Sequence, residues 1–125
     1  MNKIIHIVED DEDIRYIISY ILTDMGYEVK LSETVADFHA QMKVSEPDLI
    51  LLDVMLPDGN GLELCLELKQ ETETSHIPVI IMSAHATEYE VLRRSCAEDF
   101  IAKPFDLDDL LVLIAKHLPI ENKRK

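Results

Sequence analysis

Basic residues are scarce in this chain. Twelve lysines and arginines stand against 25 aspartates and glutamates, which gives the 125 residues a formal net charge of −13 at pH 7. A body this negative is repelled by phosphate backbones and by anionic lipid. No apolar run approaches the roughly 18 residues that a membrane-spanning helix needs. We therefore expect no direct contact with nucleic acid and no membrane insertion.

Cysteine is also rare. Cys65 and Cys96 are the 2 cysteines of the chain, and they form no CxxC pattern. Their spacing predicts neither a zinc site nor a thioredoxin-like redox centre. We expect Cys65 to be a small core residue. Because a signal-peptide pattern is also lacking, we expect the protein to reside in the reducing cytoplasm.

The remaining composition is that of a globular protein, with 47% hydrophobic and 30% charged residues. A length of 125 residues suits one domain with a core covered on two sides. No linker, repeat or low-complexity segment interrupts the chain. We predict one domain over residues 1–119 and a charged, solvated tail over residues 120–125.

Short apolar runs and helical spacings alternate five times. Buried strands are predicted at 4–8, 27–31, 49–52, 79–82 and 100–101. Five helices are predicted: one with apolar positions from 14 to 25, then 32–43, 60–71, 87–95 and 107–118. We expect Asp11 in the first turn of the first helix, Gly26 as its stop, and Asp106 as the cap of the last helix. Strict alternation predicts a doubly wound α/β fold with a parallel sheet.

The face of the third predicted helix is indicated by its apolar spacing. Leu62, Cys65, Leu66 and Lys69 follow one another at helical intervals. We expect this side of the helix to lie against the sheet.

Polar groups stand where the predicted strands end. Glu9 and Asp10 follow the first strand, Asp53 follows the third, Ser83 the fourth and Lys103 the fifth. Ligands of parallel α/β sheets bind outside the carboxyl ends of the strands. We therefore expect these five side chains to converge on one edge of the sheet.

Three carboxylates at one edge need a cation. Two unit charges about 4 Å apart repel by roughly 1 kcal/mol in water and by about 4 kcal/mol at an effective dielectric of 20. A metal site whose protein ligands are all oxygen atoms, with room for water and a phosphate oxygen, suits Mg²⁺. A metal site, a lysine, a hydroxyl and a carboxylate nucleophile together are the groups that phosphoryl transfer requires.

Other functions are compatible with parts of this pattern. An aspartate-nucleophile phosphatase would need a second acid two residues after Asp53, where Met55 stands. A flavin protein of the same topology would need hydroxyl and glycine donors after the first strand, where acids stand instead. Ser83 lacks the flanking glycines of a G-x-S-x-G nucleophile, which disfavours a serine hydrolase.

The motifs HIVEDDEDIR, PDLILLDVMLPDGNGLEL, IPVIIMSAH and EDFIAKPFDLDDLL occur in this order along the chain. They resemble the successive motifs of the receiver domain of two-component response regulators, and the resemblance extends over residues 3–118. It implies a flavodoxin-like fold with five parallel strands in the order 2-1-3-4-5 and five helices.

The resemblance also implies roles at the site. Asp53 would accept a phosphoryl group, and Glu9 and Asp10 would hold Mg²⁺ together with Asp53 and the backbone carbonyl of Met55. Lys103 would pair with the acceptor and then with the phosphoryl oxygens. The chain would thus be a signalling module that catalyses its own phosphorylation and dephosphorylation.

A conformational switch is the next implication. Ser83 would move to bond the phosphoryl group while Phe100 turns inward behind it, and the Lys103–Pro104 peptide would be cis. His85 lies two positions past Ser83, and we expect it to modulate the lifetime of the acyl phosphate.

The implied partners are proteins. A histidine kinase or a histidine phosphotransfer protein would donate the phosphoryl group, and a downstream output protein would read the switched face. The sequence leaves open the identity of both, whether the chain acts as a homodimer, and whether it is part of a larger regulator.

Overall fold

A parallel five-stranded sheet forms the centre of the protein, for which the computed structural model describes residues 2–84 and 96–119. The strands are β1 (Ile4–Val8), β2 (Glu28–Ser32), β3 (Leu49–Asp53), β4 (Met55–Leu56), β5 (Gly59–Asn60), β6 (Val79–Ser83) and β7 (Asp99–Ala102). The sheet has the order β2-β1-β3-β6-β7, while β4 and β5 form a separate antiparallel hairpin. If the two hairpin strands are left out and the five sheet strands are numbered along the chain, their order is 2-1-3-4-5. The predicted strand order is therefore confirmed.

Helices cover both faces of the sheet. They are α1 (Glu12–Asp24), α2 (Val35–Met42), α3 (Gly61–Gln70) and α4 (Leu107–His117). The described residues thus contain four of the five predicted helices. The helix predicted at 87–95 and the tail predicted at 120–125 lie outside the residues that the structure describes. None of the helices described here has the length and apolar character required to cross a membrane.

The core has two layers because neighbouring residues of a strand point to opposite faces. Leu49 and Leu51 of β3 pack with the layer under α1 and α4, whereas Ile50 and Leu52 pack with the layer under α2 and α3. The central strand β3 is buried along its whole length, while the edge strand β2 has mixed exposure. This explains why the central strands are continuous apolar runs and the edge strand alternates.

The start of α1 differs by one position from the prediction. Asp11 is the N-cap of α1 rather than a residue of its first turn, and its side chain accepts hydrogen bonds from the backbone N–H groups of Asp13 and Ile14. Gly26 ends the helix as predicted, with a positive φ of 104° that favours glycine.

The start of α2 was predicted three residues too early. Ser32 is the last residue of β2, and Thr34 caps α2 by accepting a hydrogen bond from the backbone N–H of Asp37. Sheet pairing between β1 and β2 holds Ser32 in the strand. A cap residue three positions before an acid was the available sequence signal for the true start.

The other two described helices also depart from the prediction in detail. The inner face of α3 carries Leu64, Cys65 and Leu68, whereas Leu66, which was predicted to face inward, is 40% exposed. Asp106 occupies the N-cap position of α4 as predicted, but its side chain makes no capping hydrogen bond.

A buried histidine joins β1 to β2. His6 Nε2 lies 2.7 Å from the Ser32 hydroxyl, and its ring packs 4.9 Å from that of Phe38. Among the described residues, His6 Nδ1 is the buried side-chain atom without a hydrogen-bond partner. Burial lowers the pKa of His6 from 6.5 to about 4, and the positive charge of Lys30 acts in the same direction. The neutral imidazole is therefore the native form.

This shift predicts a pH-dependent stability. Between pH 6.5 and about 4 the unfolded chain binds a proton at His6 that the folded chain does not. Lowering the pH through this window should therefore reduce the free energy of unfolding by about 3 kcal/mol. When urea unfolding is measured at pH 7 and pH 4, the loss should be smaller by this amount in His6→Gln and unchanged in His76→Gln, an exposed-site control. Acids with shifted pKa values, such as Asp99, contribute equally to all three proteins. Equal losses in the wild type and His6→Gln would contradict the assignment.

Candidate functional site

The predicted site residues meet in one cleft at the carboxyl edge of the sheet. Parallel pairing sets Val8 beside Leu52, so the residues that follow β1 lie next to the end of β3. The cleft has a volume of about 360 Å³ and is lined by Glu9, Asp10, Asp11, Ile14, Asp53, Val54, Met55, Ser83, Ala84 and Lys103. The strand order thus brings together side chains that are far apart in the sequence.

Three carboxylates form the acidic side of the cleft. Glu9, Asp10 and Asp53 each place an oxygen within 4.8 Å of the others. Glu9 is 1% exposed and Asp53 is 6% exposed, whereas Asp10 faces solvent. Among the described residues that line the cleft there is no cysteine or histidine. Hard oxygen donors of this kind fit Mg²⁺, and the exposed side leaves room for water ligands. The donor set therefore fits the predicted cofactor.

Lys103 lies between the two buried carboxylates. Its Nζ donates to Glu9 Oε1 at 2.8 Å and to Asp53 Oδ1 at 3.1 Å. Burial raises the pKa of both Glu9 and Asp53, although Lys103 opposes the rise. Burial also acts to lower the pKa of Lys103, but the two carboxylates outweigh it and raise that pKa. Lys103 is therefore a fixed cation, and the acids around it favour a further cation.

Backbone contacts hold the loop between β1 and α1. The Glu9 side chain accepts a hydrogen bond from the backbone N–H of Asp11 at 3.1 Å, and the Glu9 carbonyl accepts one from Arg15 Nη1 at 2.9 Å. The Arg15 side chain is 12% exposed, and its Nη2 lies 3.5 Å from a Glu33 carboxylate oxygen. Sequence reasoning missed Arg15, although it is the single base in the acidic motif EDDEDIR.

The hairpin after β3 holds the Asp53 backbone. Gly61 donates its backbone N–H to the Val54 carbonyl at 2.7 Å, and a Cβ at Gly61 would overlap the carbonyl oxygen of Asp53. Asp58 in the same hairpin accepts hydrogen bonds from the backbone N–H groups of Val35 and Ala36 at 2.8 and 3.0 Å. The hairpin therefore connects the end of β3 to both α2 and α3.

The residues assigned to the switch lie on two neighbouring strands. Ser83 ends β6, is 1% exposed, and lines the cleft. Its carbonyl accepts a hydrogen bond from the Lys103 backbone N–H at 2.8 Å. Phe100 lies on β7 and packs, partly buried, against the core layer under α2 and α3. The Lys103–Pro104 peptide is cis, as predicted. His85 lies outside the described residues.

An apolar groove adjoins the acidic cleft. It has a volume of about 430 Å³ and is lined by Ile14, Ile17, Ala84, Lys103, Pro104, Phe105 and Leu107. Ile14, Ala84 and Lys103 line both spaces. The acidic cleft is thus flanked by a largely hydrophobic surface between α1 and the start of α4.

Comparison with known proteins identifies the family. Residues 5–115 match the model of the response regulator receiver domain. The transcriptional regulatory protein KdpE of Staphylococcus aureus is 36% identical over 112 residues, which cover 88% of this chain and 47% of KdpE. The chain spans about half the length of KdpE and of the other curated relatives that it matches.

Solved structures agree with this match. The receiver domain of NtrX from Brucella abortus has a TM-score of 0.84 at 31% identity, covering 91% of this chain and 97% of that one. The receiver domain of the sensor histidine kinase PA1611 from Pseudomonas aeruginosa has a TM-score of 0.83 at 24% identity, covering 94% and 98%, and holds a magnesium ion in its active-site cleft. On its sequence and its fold, this chain belongs to the receiver domains of two-component response regulators.

Proposed function

We propose that this receiver accepts a phosphoryl group on Asp53. The observation that supports the proposal is the pairing of Asp53 with Lys103 at 3.1 Å inside a cleft that also holds Glu9 and Asp10. A buried carboxylate beside a fixed cation is oriented to attack phosphorus, and the same cation would pair with the phosphoryl oxygens after transfer.

The chemical step is an exchange between two phosphoryl carriers. An Asp53 carboxylate oxygen attacks the phosphorus of a phosphohistidine on a histidine kinase or a histidine phosphotransfer protein. The N–P bond breaks, its electron pair stays on the imidazole nitrogen, and that nitrogen takes up a proton. The product on Asp53 is an acyl phosphate. Later attack by water on phosphorus would return the free carboxylate and inorganic phosphate.

The acidic side chains have a separate task. Glu9, Asp10 and Asp53, with the backbone carbonyl of Met55, would hold Mg²⁺ in the cleft. When bound, Mg²⁺ supplies positive charge against the phosphoryl oxygens. Glu9 stays in place because Lys103 and the backbone N–H of Asp11 bond its two carboxylate oxygens. The PA1611 receiver, which shares the fold, binds magnesium in its own cleft.

Phosphorylation of Asp53 is proposed to change the shape of one surface of the domain. A phosphoryl dianion on Asp53 would bond Ser83 and Lys103 in one of two packings, with Phe100 turned inward in the favoured one. The surface near Phe105 and Leu107 would then change for an output protein or a second copy of the chain. A cytoplasmic location and a modulating role for His85 stay predictions.

Acetyl phosphate with Mg²⁺ tests the proposed acceptor. We expect mass spectrometry to find one added phosphoryl group, which peptide mapping after borohydride trapping places on Asp53. Asp53→Ala should abolish the addition, whereas Asp108→Ala, which changes an exposed acid on α4, should leave it intact. Equal labelling of Asp53→Ala and the wild type would disprove the assignment.

Arg15 provides a second test of the metal site. Its guanidinium holds the Glu9 carbonyl, and Glu9 and Asp10 stand in the same loop. Side chains that orient metal ligands typically contribute 10- to 100-fold in affinity. We expect Arg15→Gln to weaken Mg²⁺ binding about tenfold by calorimetry, and Arg15→Lys to recover part of the loss.

The control for this experiment is Glu33→Gln, which removes the ion-pair partner of Arg15 and leaves the contact with the Glu9 carbonyl. Its Mg²⁺ affinity should match the wild type. An unchanged affinity in Arg15→Gln would show that the loop keeps its shape without the guanidinium.

A further inference from the structure

Two cysteines from distant parts of the chain meet beside the sheet. Cys65 lies on the inner face of α3 and is 0% exposed. Cys96 stands in the turn before β7, is partly buried, and packs against the core layer that contains Cys65. Both residues belong to this one core layer, Cys96 lies close enough to Cys65 to raise its pKa, and neither is in a disulfide. The described site uses neither of them.

Polar contacts hold the two segments together independently of the thiols. Lys69, one helical turn after Cys65, donates to a Glu98 carboxylate oxygen at 2.7 Å and to the Ile77 carbonyl at 2.7 Å. The other Glu98 carboxylate oxygen accepts a hydrogen bond from the backbone N–H of Val79 at 2.8 Å. Ion pair and backbone contacts thus fix α3, the start of β6 and the turn after Cys96 side by side.

The two thiols differ in access to solvent. Burial raises the pKa of Cys65, and the neighbouring Cys96 adds to the rise, so the Cys65 thiol is protonated and is shielded from solutes. Cys96 is the partly exposed member of the pair. A small oxidant from solution would therefore react at Cys96, with Cys65 placed behind it.

We propose that Cys65 and Cys96 form a peroxide-sensitive modification site at which the two thiols are converted into an intrachain disulfide. In the first step the Cys96 sulfur attacks one oxygen of hydrogen peroxide and the O–O bond breaks. The departing hydroxide takes the thiol proton and leaves as water, so Cys96 becomes a sulfenic acid. In the second step the Cys65 sulfur attacks the Cys96 sulfur and the S–O bond breaks.

The hydroxide released in this second step takes the Cys65 proton and leaves as a second water. One peroxide thus oxidises two thiols to one disulfide. The bond joins α3 covalently to the turn that leads into β7. Because transient disulfides of this kind are known from reducing compartments, the proposal does not depend on an oxidising location.

Oxidation of the full chain tests the site. After treatment with one equivalent of hydrogen peroxide and alkylation under denaturing conditions, we expect a mass loss of two hydrogens and no alkylation of either cysteine. A non-reducing digest should contain one linked peptide pair carrying Cys65 and Cys96, and dithiothreitol should reverse the change. The reaction needs neither Asp53 nor Mg²⁺, and Asp53→Ala should react equally.

Single substitutions define the order of events. In Cys65→Ala the sulfenic acid on Cys96 should persist and be trapped by dimedone. In Cys96→Ala, Cys65 should remain alkylatable once the chain is denatured. The proposal is overturned if wild-type Cys96 proceeds to sulfinic acid while Cys65 stays alkylatable, if both thiols remain unmodified, or if the linked peptides join two copies of the chain.

Discussion

Gly61→Ala should remove phosphorylation of Asp53 almost completely. A Cβ at this position would overlap the Asp53 carbonyl oxygen and crowd the Val54 backbone, so the end of β3 has to move. Overpacking against backbone costs about 3 kcal/mol in the free energy of unfolding. A displacement of about 1 Å at a reacting group costs roughly 100-fold in rate. Labelling with acetyl phosphate and urea unfolding measure the two effects.

Gly26→Ala is the matched control for this substitution. Gly26 has a positive φ of 104° but open space around the position of a Cβ. The cost there is backbone strain alone, about 1 kcal/mol, and the cleft is not displaced. The variant should be less stable than the wild type and label at the wild-type rate. Normal labelling of Gly61→Ala would show that the hairpin can shift without moving Asp53.

Lys103→Met should make the stability of the protein depend on Mg²⁺. The substitution leaves Glu9 and Asp53 buried without the ammonium group that contacts both. Removing one partner of a buried ion pair costs about 3 kcal/mol or more. Mg²⁺ can neutralise the same carboxylates, so its addition should restore most of the lost free energy of unfolding.

The pH dependence of this variant follows from the same charges. Burial already raises the pKa of Glu9 and Asp53 in the presence of Lys103, and removing the lysine raises both further. Acids with a raised folded-state pKa bind more protons in the folded chain than in the unfolded chain. Lowering the pH below neutrality should therefore reduce the deficit of Lys103→Met relative to the wild type.

Lys69→Met is the control for Lys103→Met, because the two lysine side chains are buried to a similar extent. The Lys69 side chain is 15% exposed and that of Lys103 is 18% exposed, and each contacts a carboxylate within 3 Å. Lys69→Met should also lose stability, but Mg²⁺ should restore none of it because its partner Glu98 lies outside the acidic cleft. An equal response of both variants to Mg²⁺ would contradict the assigned metal site.

Family membership decides among the functions that the sequence left open. The match over residues 5–115 is to a signalling domain, which favours the phospho-accepting module over the phosphatase and the flavin protein. The structure is consistent with this choice at Met55, whose exposed side chain offers no second carboxylate beside Asp53.

Much of the fold was predictable because the central strands are uninterrupted apolar runs. β1, β3 and β6 are almost wholly buried, and each ends within one residue of its predicted limit. The errors lie where local patterns compete with tertiary contacts. Apolar spacing favoured Leu66 as an inner residue of α3, but packing against the sheet selects Leu64 and Leu68 instead.

Single positions of the site were predictable for a related reason. A polar residue directly after a buried strand has to lie at the edge of the sheet, so Asp53 and Lys103 could be named from the sequence. Arg15 could not, because its role depends on the path of the chain between β1 and α1. The proximity of Cys65 and Cys96 was missed because residue spacing can reveal a site within one segment of the chain but not a site formed between two segments.

By itself, the amino-acid sequence determined the alternation of strands and helices, the acidic character of the protein and the polar residue at the end of each strand. Only the tertiary structure decided which strand ends are neighbours, how closely Lys103 approaches both Glu9 and Asp53, and that Cys65 and Cys96 share one core layer. The physical reason is that hydrophobic periodicity acts over a few residues, whereas distances between segments depend on strand order, register and packing of the whole sheet.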